Sequence, residues 1–61
     1  MMKTFYRVHA FRVWNEFDNY ADAEKQFNEL VNTGKYGYIE FSEVEKTETY
    51  EHGSSIKIFS K

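Results

Sequence analysis

Few side chains in this sequence could do chemistry: His9 and His52, the carboxylates Glu40, Glu43, Glu45, Glu48 and Glu51, and the hydroxyls of Ser42, Ser54, Ser55 and Ser60. A zinc site needs ligands at short fixed spacings, so that one turn or one helix face brings them to a single ion. Neither histidine has such neighbours, and there is no cysteine to supply a thiolate. The glutamates do not follow the spacing of a calcium loop, and solvation of a hairpin accounts for them. No serine has the strand–turn–helix context that exposes an activated hydroxyl. The glycines form no phosphate-cradling loop. His52 reads as an exposed turn residue, and His9, between Val8 and Ala10, as a partner for a glutamate across a sheet. The expectation is a chain with no catalytic residue, no metal and no cofactor, and hence not an enzyme.

The aromatic residues say more. They make up 20% of the chain, and large rings bury much area with few torsions to fix. Tyr6, Trp14, Tyr36, Tyr38 and Tyr50 exceed what one short helix can cover. Either they fill the rim of a small core, or some of them contact another molecule. Tyrosine and tryptophan suit the second role because they combine apolar area with a polar tip. Trp14, Tyr36 and Tyr38 as anchors, beside Glu40, Glu43 and Glu45 steering toward a basic patch, make a candidate protein-binding set. Tyr6, Arg7 and Arg12 make an alternative set, a platform on which nucleotides or single-stranded nucleic acid could stack. The net charge of −2 and the acidic hairpin oppose that alternative, because they repel phosphate, and no RNA-recognition sequence is present.

These residues need elements to position them. Tyr20, Ala23, Phe27, Leu30 and Val31 share one face of a 3.6-residue repeat, with Asp22, Lys25, Gln26, Glu29 and Asn32 opposite. Asn19 is suited to cap the start and Gly34 to end the helix in a left-handed conformation, which predicts a helix over about 19–33. Strands are expected over about 3–14 (KTFYRVHAFRVW), 37–50 and 54–60. Alternation along the first of these puts Tyr6, Val8, Ala10 and Trp14 on one face and Phe5, Arg7, His9, Phe11 and Val13 on the other. Val44 falls out of phase with Ile39 and Phe41, which a β-bulge near 42–45 would repair. A turn over Glu51-His52-Gly53-Ser54 is expected to join the last two strands, with Gly53 taking positive φ, Glu48 facing Lys57, and Thr49 and Thr47 facing Ile56 and Ile58.

The expected fold is therefore α+β: a two-layer β-α-β-β domain over residues 1–61, one helix on a three-stranded antiparallel sheet resembling half of a ferredoxin-like domain. The last strand is placed between the other two, which leaves the first as an edge. A long half-apolar edge invites a second copy, so a symmetric homodimer is expected. It would also help a 61-residue chain, since domains this small bury only about 60% of their unfolded surface.

Residues 1–15 carry Lys3, Arg7 and Arg12 without an acid, whereas 36–51 carry the glutamates against Lys46 alone. The two segments either attract each other, within a sheet or between two copies, or leave the acids free for a basic partner. No apolar run approaches a membrane span and no signal-peptide core follows Met1, so the expectation is a soluble cytoplasmic protein.

A leading strand, then FDNYADAEKQFNELV, an aromatic-acidic stretch YGYIEFSEVEKTETYE, an HG pair and a short final strand resemble small uncharacterised proteins of bacteriophages and their Gram-positive hosts. The resemblance implies an accessory product, acting in the host cytoplasm, that binds and modulates or inhibits a host protein, antiviral defence included. It carries over no functional residues. The leading expectation is a small non-enzymatic interaction module. The alternatives are the nucleotide platform and a purely structural, self-assembling protein.

Overall fold

The computed structural model describes residues 1–61 as β1 (Lys3–Ala10), β2 (Val13–Phe17), α1 (Tyr20–Thr33), β3 (Tyr38–Lys46) and β4 (Glu51–Ser60). All neighbouring strands are antiparallel, in a four-stranded sheet of order β2-β1-β3-β4. The α+β class holds, with one strand more than the sequence predicts.

The helix forms as its pattern requires. The Asn19 side chain accepts from the Asp22 backbone N–H at 2.9 Å, satisfying one of the free donors at the helix start. Gly34 closes the other end at φ 69° with its N–H on the Val31 carbonyl. Ala23, Phe27 and Leu30 pack against Val8, Ile39 and Phe41, and these six residues form the core. Tyr6 and Tyr20 close over Phe41, with ring centroids 6.3 and 5.1 Å from it. On the solvent side Lys57 of β4 reaches Glu24 of the helix at 2.7 Å.

Three expectations about the sheet need correction. The segment 3–14 is not one strand: it folds back at Phe11-Arg12 into the β1–β2 hairpin, with Ala10 opposite Val13. No glycine, proline or asparagine marks that turn. Arg12 itself takes the left-handed conformation, φ 63°, which costs a non-glycine residue about 1–2 kcal/mol. The fold-back moves Trp14 onto the face of Arg7 and His9, and Val13 onto the face of Val8. Second, 38–46 rather than 54–60 lies in the middle, so β1 is interior and the edges are β2 and β4. The edge-strand route to a dimer through β1 does not exist.

Third, the β3–β4 turn falls at Thr47–Tyr50, closed by Thr47 N–H on the Tyr50 carbonyl at 2.7 Å. Gly53 sits in β4 opposite Val44 without positive φ. The register follows: Lys57 faces Phe41 and Ile58 faces Glu40, and neither Glu48, Thr47 nor Thr49 has a partner in the ladder. The register does shift next to Ser42, but the extra residue is Ile56, between Ser55 and Lys57 on β4. Val44 stays out of phase with Ile39 and Phe41 because it belongs to the other face.

The backbone geometry predicts an ordering of denaturation midpoints. Gly34→Ala should lose about 1 kcal/mol, since a Cβ is forced into left-handed backbone. Gly53→Ala should lose nothing or gain about 0.5 kcal/mol, because the site is open and the unfolded chain loses freedom. Arg12→Asn should gain and Arg12→Val should lose stability. Equal losses at Gly34 and Gly53 would return the turn to 51–54.

Candidate functional site

Cross-strand partners share a face, so the register sorts every strand residue. The rows Phe17–Tyr6–Glu43–Ser54, Asn15–Val8–Phe41–Lys57 and Val13–Ala10–Ile39–Phe59 face the helix side. The rows Trp14–His9–Glu40–Ile58 and Glu16–Arg7–Ser42–Ser55 face away, followed by Phe5–Val44–Gly53 and Lys3–Lys46–Glu51. No element of the chain lies over this second face.

Part of the open face is closed by its own side chains. Phe5 and Val44, directly opposite each other, are 8% and 0% exposed, and Ser42 beside them 6%. Arg7 lies across this patch. Its guanidinium stands 4.2 Å from the centroid of the Trp14 ring and 5.7 Å from that of Phe5. Glu16 at 2.8 Å and Glu51 at 3.5 Å hold it there. The aliphatic stem covers apolar area while the charge is met by carboxylates and rings. Of the basic first segment, Arg7 meets the acidic hairpin at Glu51, while its closer partner is Glu16 of β2.

The centre of the face is polar. The Glu40 carboxylate accepts from Tyr38 Oη at 3.2 Å, from Ser42 Oγ at 3.2 Å and from Ser55 Oγ in a short contact. His9 Nε2 stands 3.5 Å from it. These donors, Ser55 foremost, hold the Glu40 carboxyl below the usual carboxylate range against the opposing effect of burial. Desolvation, and after it the Glu40 charge and hydrogen bond, raise the Tyr38 hydroxyl, which keeps it a donor. The imidazole itself is incompletely engaged, since Nδ1 is buried without a partner.

Around that centre the apolar groups are open to solvent: Trp14 is 62% exposed, Tyr38 46% and Ile58 54%. Trp14 and Tyr38 flank the imidazole, with ring centroids 5.4 and 6.4 Å from it.

The sequence-derived sets fall apart or together on this geometry. Trp14, Tyr38 and Glu40 share the open face. Glu43 and Glu45 lie on the helix-side face of the β3–β4 hairpin, and Tyr36 packs against the core. In the nucleotide set, Tyr6 is turned to the helix side beside Tyr20, Arg7 is engaged on the open face, and Arg12 sits in the β1–β2 turn over Phe11. They share no surface. Ile58 and His9 were not among the binding candidates. Ile58 was hidden by the wrong β4 register. His9 was seen as a partner for a glutamate, and the ladder makes that glutamate Glu40.

Ser55 donates to the Glu40 carboxylate, and the serine hydroxyl that meets a histidine is that of Ser54, 3.3 Å from His52 Nε2. A shallow depression of about 400 Å³ lies toward the other end, lined by Lys3, Phe5, Glu16, Phe17, Asp18 and Lys46, with charges of both signs. No group of three or more His, Asp or Glu side chains is placed to hold a metal ion, and no helix is long and apolar enough to cross a membrane. No family model, curated protein or solved structure matches the chain.

The Glu40 hub has a pH signature. A carboxyl whose folded value is depressed contributes stability above its unfolded range, and that contribution is lost as pH falls through the folded value. Stability should therefore decline as the solution is acidified below the ordinary carboxylate range. Ser55→Ala should shift the Glu40 carboxyl titration, read by carbon-detected NMR, upward and flatten the decline. An unchanged Glu40 titration in Ser55→Ala would show that the hydroxyl does not hold the charge.

Proposed function

We propose that this chain is a non-enzymatic interaction module that works by offering the open face of its sheet to another protein. The observation that carries the reading is the row Trp14–His9–Glu40–Ile58 with Tyr38 beside it, large exposed apolar groups around a fixed polar centre on a face no element covers. That combination suits a binding surface: aromatic anchors to be desolvated, with oriented acceptors between them to set register. Glu43 and Glu45, on the other side of the hairpin arm, add negative charge that favours approach to a basic partner. The resemblance to phage accessory products favours a host protein as that partner. The base-stacking alternative has less support, because Arg7 already spends its charge on Glu16 and Glu51.

The reading is tested by comparing two double variants as bait in bacterial lysate, with captured proteins quantified by mass spectrometry. Trp14→Ala/Tyr38→Ala removes the anchors, and loss of a central aromatic anchor worth about 2 kcal/mol should lower retention of the partner about 30-fold. Glu43→Ala/Glu45→Ala should slow association and leave retention largely intact. A partner lost with the acids and kept without the aromatics would move the contact off the open face.

A further inference from the structure

The row at the centre of the open face has an order that matters. Read from β2 to β4 it runs apolar, imidazole, carboxylate, apolar: Trp14, His9, Glu40, Ile58. Turned end for end, the same row is its own complement. A twofold axis lying in the plane of contact and running along the strands, between β1 and β3, performs that reversal, because it exchanges β1 with β3 and β2 with β4 while keeping each row level. An axis running across the strands would instead set the Trp14 end over the Lys3–Lys46–Glu51 end, where no such match exists.

We propose that a second copy of this chain docks face to face on the open side of the sheet about this strand-parallel axis, Trp14 lying over the partner's Ile58 and His9 over the partner's Glu40. The proposal rests on the open face being the contact surface and names a second copy as its occupant in the free protein, one that a host partner for the same face would displace.

Three observations support it. The chemistry is self-complementary, and a twofold contact requires self-complementarity. The imidazole of His9 lacks full partners within one chain, with Nε2 3.5 Å from Glu40 and Nδ1 unpaired, and the reversal sets a second carboxylate over it. The size is also adequate. Four strands about 4.8 Å apart and about eight residues long at about 3.4 Å each present about 500 Å² per copy. Two copies then bury about 1,000 Å², the lower end for a specific complex. An interface of this size suits a weak, reversible dimer, and a Kd on the order of 10 µM sets the concentrations of the test. The same operation brings Lys3 over the partner's Lys46, where the long stems let both ammonium groups turn out to solvent at the margin of the contact. The acidic face of each hairpin arm, with Glu43 and Glu45, stays outside the contact and open to a different partner.

The chain lacks cysteine, so single thiols report the geometry directly. Trp14→Cys and Ile58→Cys are prepared separately and treated with a short thiol crosslinker spanning the ~10 Å between packed sheets. Each alone should give little covalent dimer and their equimolar mixture should give much more. Glu16→Cys with Ser55→Cys, from the next row, should behave in the same way and serves if the first pair disturbs folding.

Sedimentation of the unaltered chain should show dimer at about 100 µM and monomer near 1 µM, bracketing the expected affinity. Emission of Trp14, the only tryptophan, should shift to the red on dilution. Trp14→Ala, which removes both symmetry-related anchors, should weaken dimerisation about 1,000-fold and leave monomer at about 100 µM. A chain that remains monomeric at about 100 µM overturns the proposal, as do thiols that crosslink equally alone and in mixture. If a chain shown to be monomeric still loses a captured lysate protein on Trp14→Ala/Tyr38→Ala, the open face is a contact surface and only its occupancy by a second copy is wrong. If it shows neither behaviour, both readings fail.

Discussion

One helix covers one side of a sheet, and this chain has one helix and a four-stranded sheet. The other side must be closed by what its own side chains can reach. On the helix side closure is ordinary: Val8, Ile39 and Phe41, all fully buried, meet Ala23, Phe27 and Leu30. On the open side closure is achieved at one place, where Phe5 and Val44 are buried and the Arg7 guanidinium lies over the Phe5 ring with Glu16 and Glu51 meeting its charge. Arg7 also stands 4.2 Å from the Trp14 ring, yet Trp14 and Ile58 remain largely open beside the His9–Glu40 pair.

That contrast separates structure from function on a single surface. The Phe5–Val44 end is finished within one molecule, by packing, a cation over two rings and an ion pair. The Trp14–Ile58 end has a carboxylate fully supplied with donors, an imidazole that is not, and exposed rings around both. Hydroxyl donors on Glu40 hold its charge and orientation without using up the neighbouring apolar area. A surface ordered in its polar part and unfilled in its apolar part is prepared for contact, since little side-chain freedom is lost on binding.

Much of this was legible in the residues. The helix follows from a repeat of apolar side chains between Asn19 and Gly34, each at the position its capping chemistry requires. The aromatic surplus that points to a contact surface is a count. What stayed hidden is where the chain turns. Phe11-Arg12 forms a tight turn without a turn-forming residue, its positive φ borne by an arginine, so local propensity favours an unbroken strand and tertiary pairing overrides it. At the other hairpin the glycine drew the turn four residues too late, because Gly53 serves as a small neighbour to Val44 and not as a hinge. Both errors change which residues share a face. Trp14 joins Arg7 and His9 only once the first hairpin is known, and Ile58 joins Glu40 only once the second register is known.

The account depends most on the surface opposite the helix being closed by another molecule of matching order. An isotope-filtered NOE experiment on a mixture of labelled and unlabelled chain at high concentration observes that contact directly. Intermolecular cross-peaks from the Trp14 indole to the Ile58 methyls are expected. Cross-peaks confined to the helix or to the outer edge of β4, or none at all, would contradict it.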